Sequence, residues 1–468
     1  MTDVLIVGAG SAGSVLAERL SVDPDCRVTV VEAGPGPTDA RVGTQISDGL
    51  RLPIGVASSV VRRYRAVLTE EPVRHAEIMR GAVVGGSGAV NGGYFCRALP
   101  SDIAGWALEG WSWEDVLPHF TAIENDLDFD GPLHGSDGPI TVRRVTEFNG
   151  CTASFVDAAR DAGFGWIDDL NGATPQRPLA DGVGAVPLNI DGGTRVGPGG
   201  AFLQPALGRP NLAVLTDTRV TRIRFAGGRA TGVDCADANG RRTLTADRVV
   251  LCGGAIATAQ LLMLSGVGPQ AVLRAAGVEV GVDLPVGVDT VDHPEWVLPV
   301  TWPATHDMPP LEAVLTTPDG LEIRPYTAGF GAMTSGRRDD PTDRPHLGVT
   351  LMRPQSRGRV VITSPDPDTD PVIEHRYDTA PADVDLLRDG TRLAREIAGN
   401  TAGSEAYWST SQHLCGTAKM GAVVDARCRV FGVDNLWVVD GSILPHIPGR
   451  GPHVTIVMAG HRAAEFIC

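Results

Sequence analysis

Apolar and small residues concentrate at the two ends of the chain and in one long run near its middle. At the N-terminal end Val4-Leu-Ile-Val7 is a β-rich run, Gly8, Gly10 and Gly13 follow, and an apolar helical period runs from Ser11 to Leu20. A second β run, 27–31, ends in Glu32 and Ala33. Strand, glycine turn, helix, strand and acid in this order make a dinucleotide fingerprint. Gly8 serves the tight turn, Gly10 the approach of a pyrophosphate, Gly13 close helix packing, and Glu32 the ribose hydroxyl, with Ser11 and Ala12 at the helix start. A carboxylate at Glu32 repels a 2′-phosphate, so the adenosine diphosphate moiety expected is that of FAD or NAD.

The middle run, 249–268, is uncharged and long enough to suggest a membrane span. Gly253-Gly254 divides it, so a buried strand-turn-helix unit is expected instead, with no transmembrane segment. Residues 79–99 form a glycine-dense stretch interleaved with Val, Tyr and Phe, expected as a loop whose amides wrap a phosphate or flavin ring. Trp111, Trp113, Leu117 and Phe120 recur at helical spacing and read as core. A helix is predicted over 152–162, short strands over 211–215, 220–225, 230–234 and 242–246, β-leaning stretches over 346–352 and 358–363, and a helix over 382–398. The strand 436–440 returns to nucleotide-fold material near the C-terminal end.

The length, 468 residues, suits two or three domain-sized units. Lys plus Arg number 40 against 56 acids, a net charge of -16, which opposes nucleic acid and anionic membrane surfaces. Eight cysteines are scattered without metal-ligand spacing, so neither a metal site nor a disulfide framework is expected. Reduced thiols, and a fingerprint strand that begins by residue 4, point to a cytoplasmic protein without a signal peptide.

Ordered motifs then carry a family likeness. These are Arg80-Gly-Ala-Val-Val-Gly-Gly-Ser-Gly-Ala-Val-Asn-Gly92, Gly110–Pro118, His134-Gly-Ser-Asp-Gly-Pro139, Gly254–Pro269, Arg353–Gly358, His413–Gly421 and Val438–Thr455. Over nearly its whole length the chain resembles the glucose-methanol-choline (GMC) oxidoreductases. Within them Asn91–Arg97, Leu127–Leu133 and the short chain resemble the compact branch of actinobacterial mycofactocin gene clusters.

The resemblance implies an α/β fold, α+β overall. A discontinuous Rossmann-like FAD-binding domain (1–148, 205–292 and 405–468) would be interleaved with an antiparallel-sheet substrate-binding domain (149–204 and 293–404). It implies FAD contacts from Arg80, Gly81, Gly85, Gly86, Ser87, Asn91 and Gly92, from Val220 and Gly254, from the Asp440-Gly441 pair, and from Val454 and Thr455 at the entry to the last helix. Some relatives bind FAD covalently through a His where this chain has Val90, so noncovalent flavin is expected. His413 stands at the catalytic position and is expected as general base, with His453 as its partner on the substrate oxygen. His293, in an Asp-His-Pro turn, reads as structural, and His446 and His461 are left outside the site. Leu414, Cys415 and Ala418 depart from the family pattern around the catalytic His.

The activity implied is hydride transfer from the CH–OH group of an alcohol, or of a reduced redox cofactor such as mycofactocinol, to flavin N5. An electron acceptor, oxygen or a respiratory carrier at the membrane surface, must follow. A redox-neutral flavin lyase and a non-catalytic flavoprotein are the alternatives on this scaffold.

Overall fold

The computed structural model describes residues 2–338 and 340–467. The N-terminal run forms the strand Thr2–Val7, paired in parallel with Cys26–Val31 on one side and Arg248–Leu251 on the other. Leu212–Leu215 and Leu436–Val438 complete a five-stranded parallel sheet. Parallel strands covered on both faces must be apolar on both. Val4, Leu5, Ile6, Val28, Val30, Val249, Val250 and Leu251 are accordingly no more than 2% exposed.

The turn after Thr2–Val7 depends on glycine at two positions. Gly8 has φ +103°, and a Cβ on Gly13 would overlap the Gly8 carbonyl oxygen. The helix Ser11–Leu20 therefore starts close against the strand end, as the fingerprint requires. The uncharged middle run divides as expected into Arg248–Leu251 and the helix Gly254–Leu264. No helix among the described residues is long and apolar enough to cross a membrane.

A seven-stranded sheet is antiparallel but for its last pair. Its order is Tyr407–Thr410, Pro294–Pro299, His346–Leu351, Leu321–Tyr326, Ala313–Thr316, Gly182–Ala185 and Trp166–Ile167. The helices Gly150–Asp161 and Pro381–Ala398 share its core, with Phe155 and Leu387 both fully buried there. Two segments cross the boundaries expected from sequence. Tyr407–Thr410 pairs with Pro294–Val297 in this sheet, although residues from 405 on were assigned to the FAD domain. Arg359–Val361 and Val372–Glu374 join Val61–Thr69 and Arg74–Gly81 in a four-stranded sheet that mixes both assignments. Backbone pairing between distant segments decides these memberships, and motif order does not encode it. Pairing also corrects the glycine-dense loop: residues 79–81 end the strand Arg74–Gly81, so the loop proper begins at Ala82.

Trp111, Trp113 and Phe120 are buried and Leu117 packs against the same core. Cys26, Cys96, Cys151, Cys235, Cys252, Cys415 and Cys428 are buried, and Cys468 lies outside the described residues. The His134 motif closes a buried ionic knot. His134 Nδ1 lies 3.1 Å from Asp126 and Nε2 3.0 Å from Asp169, while Arg144 reaches Asp126 at 2.7 Å and Arg97 contacts Glu124. Glu124, Asp126 and His134 bring ligand atoms within 4.8 Å of one another, but the two guanidiniums already stand on their carboxylates.

Burial alone would lower the His134 pKa, yet hydrogen bonds to Asp126, Asp169 and Glu124 raise it to about 10 from its ordinary 6.5. A raised folded pKa gives stability that is complete below the unfolded value and lost as pH rises through the folded one. His134→Ala, which strands buried carboxylates, should cost about 3–5 kcal/mol. The difference in thermal midpoint between wild type and variant should be full below pH 6.5 and shrink as pH passes about 10. An unchanging difference across that range would show that His134 is not held as a cation.

Candidate active site

One cavity of about 500 Å³ runs from the end of Cys26–Val31 to the C-terminal histidines. Its far end is lined by Glu32 and Ala33. Glu32 is 6% exposed, and its oxygens accept the Ala9 and Gly34 amides at 2.9 and 2.8 Å. Burial raises its pKa against the pull of those amides. Gly8, Gly10, Ser11 and Ala12 follow, at the start of a helix whose first turn carries no acid. That end bears unpaired amides and a positive helix dipole, a place for a phosphate.

The middle of the cavity is lined by Arg80, Gly81, Gly86, Ser87, Asn91 and Gly92, with Val220 and Gly254 opposite. Asp440 and Gly441 line it as well. Asp440 Oδ2 accepts the Gly254 amide at 2.8 Å and the Thr258 hydroxyl at 2.6 Å, which ties the last strand to the middle helix. Four residues expected at the cofactor do not line the cavity. Gly13 packs beneath Gly8, and Gly85 donates its amide to Ala9 at 2.7 Å and joins the two glycine loops. Val454 and Thr455 are wholly buried in the helix His453–Ile467, and Ile456 faces the cavity in their place.

His413 and His453 both line the near end. His453 Nδ1 lies 3.4 Å from Ser11 Oγ, its Nε2 is buried without a partner, and burial lowers its pKa to about 4. Burial also holds the His413 pKa well below 6.5, aided by His293, Arg324, Arg80 and His453. Both imidazoles are therefore neutral at pH 7.

His293, read from the sequence as structural, does not line the cavity but touches His413. Its Nδ1 lies 2.9 Å from His413 Nδ1, and the two rings meet edge to face. Strand pairing aligns them, since Val291 and Cys415 exchange backbone hydrogen bonds and Ser411 donates to the His293 carbonyl. The Asp-His dipeptide gave no sign of this, because the register of 291–297 against 407–415 appears only in the fold. Gln412 holds φ +60° without being glycine, and its side chain accepts the Met79 amide at 2.8 Å. Gln412 thus adjoins His413 in a sparsely populated backbone region of the kind in which folds store strain. His446 stays outside the cavity, and His461 pairs instead with His119, Nδ1 to Nδ1 at 2.8 Å.

Sequence reasoning also missed the wall beyond the histidines, where Tyr94, Glu295, Arg324, Tyr326 and Phe330 line the cavity. Glu322 accepts from Tyr94, Arg324 and Arg450, and Glu295 accepts from Tyr326, Thr350 and Ser411. Glu295, Glu322, Arg324 and Arg450 are each no more than 4% exposed. Two carboxylates face two guanidiniums, so the wall is charge-balanced.

A model of the GMC oxidoreductase family matches residues 2–295 and a second, of its C-terminal part, residues 354–460. The chain belongs to the GMC oxidoreductase family. It is an FAD-dependent alcohol oxidoreductase. It is 40% identical to an uncharacterized GMC-type oxidoreductase in the thcA 5′ region of Rhodococcus erythropolis, across 99% of this chain and 98% of the relative. Identity to an oxygen-dependent choline dehydrogenase of Rhizobium etli is 31%, across 99% and 95%. The crystal structure of pyridoxine 4-oxidase from Mesorbium loti superposes with a TM-score of 0.88 at 28% identity, covering 99% of each chain.

The GMC cavity fits its flavin on this chain's own atoms. It is continuous from Glu32 to the histidines, meets an acid-free helix start, and ends at the unpartnered Nε2 of His453. Gly88 leaves no room behind that ring, for a Cβ there would lie 2.7 Å from both His453 Cε1 and Ser11 Oγ. Gly88→Ala should therefore turn His453 and slow flavin reduction while costing only the ~1–3 kcal/mol of an overpacked site. Stopped-flow reduction and a thermal melt on one preparation check this. Wild-type reduction with a lowered melt would separate Gly88 from the His453 ring.

Proposed function

We propose that the protein oxidises a neutral alcohol, with His413 taking the hydroxyl proton and His453 holding the same oxygen. The observation that carries this reading is the pair of neutral imidazoles at the end of the cavity, one of them with a buried unpartnered nitrogen. Bound FAD supplies the hydride acceptor. The residues then have three tasks. His413 receives a proton at a nitrogen kept unprotonated by burial. His453 Nε2, donating, steadies the oxygen as charge develops on it. The closed wall behind them keeps water from the reacting carbon.

Charge balance narrows the substrate. A quaternary ammonium would face Glu295, which already lies 3.5 Å from Arg324, and a carboxylate would find Arg324 already paired with Glu295 and Glu322. Aromatic faces of Tyr94, Tyr326 and Phe330 offer contact to a flat neutral body instead. A hydroxyl-bearing ring of a reduced redox cofactor of the mycofactocin kind is a substrate of this description, and the loops that resemble that branch support it. Val90 lines the cavity and offers no atom for a flavin linkage, which supports noncovalent FAD.

Acid precipitation should accordingly release intact FAD, and a pellet that keeps its yellow colour would refute the noncovalent reading. His413→Ala should slow anaerobic flavin reduction by roughly 10²–10⁴-fold with FAD content retained, the usual contribution of a positioned base. Wild-type reduction by that variant would place the base elsewhere. No bleaching by any alcohol would favour the lyase or carrier readings. Benzylic or allylic alcohols should exceed choline in kcat/KM by at least ~10-fold, because an unpaired cation at a balanced wall costs more than ~1.4 kcal/mol. With one good alcohol, peroxide release against dye or quinone reduction then assigns the acceptor.

A further inference from the structure

We propose that His293 is a positioning residue that fixes the tautomer of His413, so that His413 presents an unprotonated Nε2 to the substrate. The inference rests on the reading of His413 as base. Two Nδ1 atoms at 2.9 Å share one proton, since a hydrogen bond needs one donor and one acceptor. Two arrangements meet that condition. If His293 donates, His413 carries its own proton on Nε2 and shows the substrate a donor. If His413 donates, its Nε2 lone pair faces the cavity.

The base reading selects the second. A base at Nε2 needs a lone pair there, so the proton between the rings belongs to His413 Nδ1, and His293 Nδ1 accepts it. Burial keeps His293 neutral, lowering its pKa to about 4, so its single ring proton lies on the buried Nε2.

The backbone holds this arrangement. The His293 and His413 amides both donate to Asp292 Oδ1, at 2.8 and 2.6 Å, so the two rings are hung from one oxygen. When the substrate O–H bond breaks, its proton forms a new N–H bond at His413 Nε2, and the Nδ1 proton stays in its bond to His293. The resulting imidazolium keeps an acceptor on its inner side, which a hydrocarbon at position 293 would remove.

The test compares His293→Leu and His293→Asn as holoenzymes with one alcohol. Asn can place its amide oxygen near the position of Nδ1 and accept the His413 proton, whereas Leu fills similar space without an acceptor. His293→Leu should lower the limiting rate of flavin reduction by roughly 10–100-fold, the scale on which outer-shell partners of an imidazole act, with KM little changed. His293→Asn should restore most of that rate. The ¹⁵N spectrum of histidine-labelled wild type, assigned through His413→Asn, should show a pyridine-type Nε2 for His413. Equal rates for His293→Leu and wild type, equal loss in the Leu and Asn variants, or a protonated His413 Nε2 would each overturn the proposal. The spectrum stands even if a variant does not fold. If His413→Ala is slow while His293→Leu is not, only the tautomer inference fails; if His413→Ala is fast, the base reading fails with it.

Discussion

The Asp292 carboxylate is buried and accepts four hydrogen bonds, from the His293 and His413 amides on Oδ1 and from the Tyr377 and Thr410 hydroxyls on Oδ2. Those donors lie on three separate stretches of chain. Burial raises the Asp292 pKa, but His375, Arg80 and the two hydroxyls outweigh it and keep the group ionised. An ionised acceptor makes each bond worth more than a neutral one, about 1.5–3 kcal/mol. Losing it would leave the His293 and His413 amides unpaired. The geometry of the near end thus follows from a residue that touches no substrate.

The same accounting explains how so many polar groups occupy the cavity wall. Beyond the histidines the buried ions are paired: Glu322 lies between Arg324 and Arg450, and Glu295 lies 3.5 Å from Arg324. His413 and His453 have no carboxylate ion pair among the described residues, and burial lowers the pKa of both. A low-dielectric site strengthens both effects, holding ion pairs together and keeping isolated imidazoles neutral. Neutrality is what a proton acceptor requires.

Features fixed by local geometry were legible in the sequence, and features fixed by long-range pairing were not. The glycine turn could be read because φ at Gly8 and the contact at Gly13 are decided within a dozen residues. The broken apolar run could be read because two adjacent glycines end a strand and start a helix. His413 and His453 were placed by family likeness, and the cavity receives both. His293 was passed over because its meaning lies in a partner 120 residues away. Likewise Glu322 and Arg450 are 128 residues apart and meet only after two sheets form. Val454 and Thr455 were expected at the cofactor through their backbone amides at a helix start; their side chains are wholly buried, and Ile456 lines the cavity.

The loop that carries His413 is bound to the nucleotide fold mainly through backbone. The amides of Gly416, Ala418 and Met420 each donate 2.9 Å bonds to the carbonyls of Gly441, Ser442 and Ile443, just beyond the last strand of the parallel sheet. Leu414, Cys415 and Ala418, the departures from the family pattern, belong to the hydrophobic core and are at most 4% exposed, and Leu414 and Cys415 also line the cavity. Their side chains fill core space, while main-chain atoms set the position of His413. The wall of Tyr94, Arg324 and Tyr326 comes from other segments, so it can change the substrate accepted while the histidines keep their place above the sheet.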